Sequence, residues 1–171
     1  MRLKARKAFP LGANAAQAHS NEGIKLALKA GVSTIEHASY IDKQIISLFL
    51  QTGAIAVSTL LASRRQVENL KEIPDYMAEK ISKHLEKETD SVKKLIDAGV
   101  LIAGGTDAGT PFNPYGEREE QLKILSECGG KLTSLKSWYL CFCFGSLDTR
   151  LHWYSKAGKN SRYSCGKEKS W

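Results

Sequence analysis

Cysteine and tryptophan are absent from the first 127 residues of this 171-residue sequence, and all four cysteines and three tryptophans lie between residues 128 and 171. Cys141 and Cys143 are separated by one residue, and no second pair has a spacing typical of zinc ligands. The sequence therefore supports neither a disulfide framework nor a cysteine-based zinc knuckle.

Long hydrophobic runs are also absent. No stretch approaches the roughly 20 apolar residues that cross a bilayer, and the N-terminus lacks the continuous apolar core of a signal peptide. We therefore expect a cytoplasmic protein with no membrane partner. The formal net charge is +7, but residues 128–171 contain eight Lys or Arg and two acidic residues, so the charge lies mainly in this tail.

Four short apolar segments, each typical of a strand, alternate with amphipathic segments that are typical of helices. The strands are expected within residues 14–19, 30–37, 54–60 and 98–107, with short helices between the first three. Asp42 is an expected helix N-cap, as is Ser20 or Asn21, and glycines 31 and 53 are expected to end these helices. This alternation predicts an α/β fold with parallel strands.

The polar segment 62–97 is expected to form two helices separated by Pro74, and residues 117–127 a further amphipathic helix. His84 lies in the second of these helices among charged residues. Because no strand end positions it, we predict that His84 is solvated and is not a ligand.

Polar side chains follow three of the predicted strands. His37 ends the second strand, Asp107 follows the fourth within a run of glycines, and Gln17 and His19 are two residues apart on the first. Residues two apart share one face of a strand, and α/β folds place their chemistry at the carboxyl ends of strands. The alternative for Asp107 is that it caps a turn or the next helix.

Two motifs resemble those of the amidohydrolase superfamily, in the branch of imidazolonepropionase-like and prolidase-like enzymes. They are Ala30-Gly31-Val32-Ser33-Thr34-Ile35-Glu36-His37-Ala38-Ser39 and Gly104-Gly105-Thr106-Asp107-Ala108-Gly109-Thr110-Pro111. The resemblance covers about residues 12–127. It implies a partial (β/α)8 TIM barrel, comprising strands five to eight with their helices, and hydrolysis of an amide or other C–N bond by a metal-activated water.

The resemblance also implies roles for individual residues. His37 matches the strand-six metal ligand, and Asp107 matches the strand-eight ligand that also takes a proton from the attacking water. Gln17 stands where the strand-five ligand is usual, so either His19 substitutes for it or that metal position is lost. The cofactor implied is one or two divalent metal ions, with zinc foremost, and the substrate is a small or dipeptide-like molecule.

The strand-one and strand-four ligands of the family have no counterpart in this sequence, so we expect this chain alone to be inactive. A partial barrel has open sheet edges and exposed apolar surface, which favour self-association. The substrate-binding residues are not identifiable, because specificity in such barrels depends on variable loops.

We divide the chain into a partial barrel, residues 1–127, and a basic, poorly ordered tail, residues 128–171. Lys156-Ala157-Gly158-Lys159 resembles the family, whereas Asn160 to Cys165 does not. Codons for those six residues, shifted by one base, can encode Ile-Ala-Asp-Ile-Val-Val, so we hypothesise a frameshift. The alternative function is a non-catalytic protein whose basic tail binds nucleic acid or a partner chain; we consider nucleic-acid binding the weaker prediction.

Overall fold

A computed structural model describes residues 14–145 of the chain. Its centre is a four-stranded parallel sheet in which sequence order and spatial order coincide. The strands are β1 (Ala15–Ala18), β2 (Thr34–His37), β3 (Ile55–Ser58) and β4 (Ile102–Gly104). The predicted α/β class with parallel strands is confirmed.

Five α-helices connect or follow the strands within residues 14–145. They are α1 (Asn21–Ala30), α2 (Lys43–Thr52), α3 (Leu60–Glu68), α4 (Asp75–Asp97) and α5 (Arg118–Gly145), with a short 3-10 turn at Leu70–Glu72. Helix α5 continues past residue 127 and is kinked at Gly130, whose backbone is not helical. Across residues 14–145, no helix is long and apolar enough to cross a membrane.

The helix boundaries follow from local chemistry. The side chain of Asp42 accepts a hydrogen bond from the backbone N–H of Ile45 at 2.9 Å, and Ser20 caps α1 in the same way. Gly31 and Gly53 end α1 and α2 in the left-handed conformation, which glycine adopts without a steric penalty. Both predicted caps and both predicted ends are confirmed.

One apolar core lies between the sheet and the helices. Its fully buried side chains come from both layers, and the largest are Phe49, Ile24, Leu28, Ile35, Ile45, Leu60, Leu61, Leu95 and Leu125. Because hydrophobic burial is the dominant favourable term in folding, this core fixes the sheet and therefore the edge where its strands end.

The frameshift hypothesis concerns residues 160–165, which lie outside the described residues, as do residues 146–171 of the predicted tail. The division at residue 127 stays a prediction.

We expect Phe49→Ala to lower the free energy of unfolding by about 3–5 kcal/mol, because Phe49 is 1% exposed and its removal leaves a cavity. Urea denaturation followed by circular dichroism measures this loss. The matched control is Leu50→Ala, next to it on α2 and 54% exposed, which should change stability by less than about 1 kcal/mol. Equal losses in the two variants would contradict the assigned core.

Candidate active site

The backbone departs from strand geometry at two of the predicted site residues. His37 has φ 71° and Asp107 has φ 53°, values that are uncommon for residues other than glycine. Ala38 continues the departure with φ 49°. Such conformations cost of order 1–3 kcal/mol each and cluster at functional sites. These positive φ values could not be predicted from the residue types, since neither His nor Asp requires a positive φ.

Both ring nitrogens of His37 are hydrogen-bonded. Its Nε2 lies 2.9 Å from Gln17 Nε2, and its Nδ1 lies 2.7 Å from Thr59 Oγ1. An amide nitrogen can only donate, so His37 accepts at Nε2 and carries its proton on Nδ1, which donates to Thr59. Neighbouring strands thus fix the orientation of the ring.

His19 stacks on His37. The two ring centroids are 4.4 Å apart and the rings are inclined by 16°. His19 Nδ1 lies 2.9 Å from Ser39 Oγ, and Gln17 contacts His37, so both Gln17 and His19 contact groups at the carboxyl end of β2. This confirms that Gln17 and His19 share one face.

Among the side chains that the structure describes, none donates a hydrogen bond to the Asp107 carboxylate, which acts electrostatically on His37. The turn after β4 is held instead by the Asp107 backbone carbonyl, which accepts from Thr110 Oγ1 and Asn113 Nδ2, both at 2.9 Å. The side chain is therefore not the cap of that turn. The Asp107 carboxylate, without a hydrogen bond from the described side chains, therefore lies on the same side of the sheet edge as His37.

Gly105 lets the end of β4 approach β3. A Cβ atom at residue 105 would lie 3.0 Å from Val57 Cγ1 and 3.3 Å from Thr59 Cγ2, closer than ordinary contacts. Since Thr59 also holds His37, this close approach brings the Asp107 loop and the His37 ring to one place. The absence of a side chain at Gly105 therefore permits this close backbone approach.

Burial lowers the pKa of His37, and the neighbouring His19 and His84 lower it further, whereas Asp107 raises it. Desolvation and a like charge both oppose protonation of an imidazole. His37 therefore favours its neutral form, which has the lone pair that a metal ion or a proton requires.

His84 differs from the sequence prediction. It is only partly exposed, its Nδ1 is hydrogen-bonded to Tyr40 Oη at 2.7 Å, and its ring lies 6.0 Å from that of His19. Burial lowers the pKa of His84. The prediction of a solvated histidine was wrong, because α4 passes over the sheet edge and directs this side chain toward it.

Sequence reasoning missed Glu88, a carboxylate on α4 that is 1% exposed. Its Oε2 accepts from Ser63 Oγ at 2.6 Å and its Oε1 accepts from Ser39 Oγ at 3.4 Å. Burial raises the pKa of Glu88, against the effects of the Ser63 hydrogen bond and the charge of His19. A signal was available: Glu88 occupies an inward position in the helical series Ile81, Leu85, Glu88, Val92, Leu95.

The donor types at this edge fit a divalent metal ion, since zinc and similar ions take imidazole and carboxylate ligands. The number of donors does not fit, because among the side chains that the structure describes no three His, Cys, Asp or Glu residues group closely enough to hold a metal ion. The Nε2 lone pair of His37 is moreover engaged by Gln17. A metal site here would need donors from outside the described residues.

Comparison with known proteins agrees with the fold and the motifs. The model of the amidohydrolase family matches residues 3–136, and the chain therefore belongs to this family. It is similar to the ochratoxinase of Aspergillus niger, with 32% identity over 121 residues, which are 67% of this chain and 23% of that enzyme. The chain thus spans about a quarter of the length of the curated relatives it matches.

Solved structures give the same result. A Xaa-Pro dipeptidase with methionine in its active site has 31% identity and a TM-score of 0.64, over 72% of this chain and 31% of the dipeptidase. The A. niger ochratoxinase structure has 28% identity and a TM-score of 0.62, over 73% of this chain and 28% of the other. A prolidase complexed with N-methylphosphonate-L-proline has 26% identity and the same TM-score, over 72% and 30%. The sheet is consistent with part of an amidohydrolase TIM barrel.

The raised pKa of Glu88 has a consequence for stability. Between the pKa of the unfolded chain and the higher folded value, the folded state binds more protons, so Glu88 makes stability fall as pH rises. We expect Glu88→Gln to remove this fall, which amounts to at most about 1.4 kcal/mol per pH unit. Urea denaturation across a pH series measures it. Glu86→Gln, an exposed position on α4, should keep the wild-type slope; an unchanged slope in Glu88→Gln would contradict the assignment.

Gln17→His would place a third imidazole beside His19 and His37, where the amide now donates to His37. We expect the chain to bind Zn²⁺ at least about tenfold more tightly, or ~1.4 kcal/mol. Competition with a chromogenic chelator measures the affinity. Gln51→His, on the exposed face of α2, is the matched control. Equal gains in both variants would show that Gln17 does not lie at a place suited to a metal ligand.

Proposed function

We propose that this chain forms part of the active site of a metal-dependent hydrolase that cleaves an amide or other C–N bond. The supporting observation is that His19, His37 and Asp107 follow three strands of one parallel sheet and face the same edge. In barrels built from such units, catalysis takes place at the carboxyl ends of the strands. Membership of the amidohydrolase family supports the hydrolase class.

Within this proposal, His37, Asp107 and His19 would be the ligands that the chain supplies to a divalent metal, with zinc the first candidate. His37 would exchange the Gln17 hydrogen bond at Nε2 for the metal, and the remaining donors would come from outside the described residues. A bound divalent ion lowers the pKa of a coordinated water to about 7 and polarises a carbonyl group. Asp107 is the catalytic residue, because its carboxylate has no hydrogen bond from the described side chains and can accept a proton from an attacking water. Thr59 holds the proton of His37 on Nδ1.

The substrate we propose is a small molecule or a dipeptide-like compound. The similar structures include a Xaa-Pro dipeptidase and a prolidase with a phosphonate analogue of a proline dipeptide. Substrate-contacting residues are not assigned.

The alternative of a non-catalytic protein with a basic tail receives less support, since the family match covers residues 3–136 and the polar cluster lies at the catalytic edge of the sheet. A cytoplasmic location and self-association through open sheet edges remain part of the proposal.

The test uses the similar Xaa-Pro dipeptidase as a host. Its matching segment is replaced by residues 14–145 of this chain, so that the rest of the barrel can supply the remaining metal ligands. We expect the hybrid to hydrolyse Xaa-Pro dipeptides, and Asp107→Asn to lower its kcat by about 10²–10⁴-fold with an unchanged fold, as expected for loss of a general base. Stopped assays of proline release measure the rate.

The control for this experiment is Asp97→Asn, an exposed aspartate at the end of α4, which should leave kcat unchanged. A folded hybrid that retains activity in Asp107→Asn would refute the role of Asp107. A folded hybrid that binds metal and has no hydrolytic activity would refute the proposed function.

A further inference from the structure

We propose that Glu88 is a positioning residue that acts through Ser39 to hold the proton of His19 on Nδ1 and keep its Nε2 lone pair free. The inference rests on the proposed function for the use of that lone pair. Its structural content does not depend on hydrolysis or on a metal, because it concerns only hydrogen bonds among described residues.

The first step is the environment of Glu88. The side chain is 1% exposed, and its two oxygens accept from two different serines, Ser63 at 2.6 Å and Ser39 at 3.4 Å. An ionised carboxylate can only accept, so each serine must direct its hydroxyl hydrogen at Glu88. The titratable groups facing it are His84, with Nε2 at 3.8 Å, and His19 and Asp107 through their electrostatic effect.

The second step concerns Ser39, which is fully buried. Its backbone carbonyl accepts from Ser91 Oγ at 2.8 Å, so a second residue of α4 holds Ser39 in place. A serine hydroxyl has one hydrogen, and Ser39 donates that hydrogen in its hydrogen bond to Glu88. The Ser39 oxygen lies 2.9 Å from His19 Nδ1 and can therefore only accept a hydrogen bond from it. It follows that His19 carries its proton on Nδ1.

The third step compares the two stacked histidines. Thr59 fixes His37 and Ser39 fixes His19, each through a hydroxyl that follows the next strand along the sheet. Both rings are thereby held with the proton on Nδ1 and the lone pair on Nε2. Hydrogen bonds of this kind fix the tautomer and orientation of metal-binding and catalytic histidines. Helix α4 thus takes part in the site without contacting a reacting atom.

The experiment is ¹⁵N NMR of the histidine rings in the full 171-residue chain at pH 8, where imidazoles are mostly neutral. We expect the wild-type His19 spectrum to show a protonated Nδ1 and an unprotonated Nε2. In Glu88→Gln the new amide can donate to Ser39, whose hydrogen is then free to bond His19 Nδ1. The His19 proton should shift to Nε2 in this variant, while His37 keeps its Nδ1 proton.

Two further variants make the result decisive. Glu79→Gln, an exposed position on α4, should leave the His19 tautomer unchanged. Ser39→Ala should remove the preference for Nδ1 even if Glu88→Gln does not fold. A wild-type His19 with its proton on Nε2, or an unchanged tautomer in a folded Glu88→Gln or Ser39→Ala chain, would overturn the proposal. If Glu88 had only a structural role, Glu88→Gln would change stability and leave the His19 tautomer unchanged. The spectra do not depend on hydrolysis, so failure of the proposed function would not alter them.

Discussion

Parallel pairing in sequence order is the constraint on which the rest of this structure depends. Since β1, β2, β3 and β4 run the same way, all four carboxyl ends lie at one edge, and each helix must return the chain to the opposite edge. The buried core of Phe49, Leu95 and their neighbours stabilises that arrangement. Residues that are far apart in the sequence, such as His19, His37 and Asp107, become neighbours as a result.

At that edge, each of two stacked histidine rings is hydrogen-bonded to a hydroxyl group: Ser39 Oγ lies 2.9 Å from His19 Nδ1, and Thr59 Oγ1 lies 2.7 Å from His37 Nδ1. Glu88 accepts a hydrogen bond from Ser39 and is 1% exposed. A buried carboxylate is costly unless it is well hydrogen-bonded. A fold that only required stability would be served equally well by an apolar residue at this position, so the buried carboxylate is best explained by what it does for its neighbours.

Local signals in the sequence predicted the helices well, because caps such as Asp42 and helix-ending glycines such as Gly31 act within a few residues. The strand ends and their polar residues were also predictable from the alternation of segments. The hydroxyl partners were not, since Glu88 reaches Ser39 across 49 positions and Ser63 across 25. His84 was misjudged for the same reason: its surroundings depend on where α4 crosses the sheet, which helical periodicity does not specify.

The central claim is that the first two strand ends bring His19 and His37 into contact, with α4 beside them. The most direct measurement is a nuclear Overhauser spectrum of the histidine and tyrosine ring protons in the full chain. The account predicts cross-peaks between His19 and His37, whose ring centroids are 4.4 Å apart, and between Tyr40 and His84 at 5.5 Å. If backbone cross-peaks confirmed the parallel sheet but no cross-peak joined His19 and His37, the result would contradict the claimed contact between the two rings.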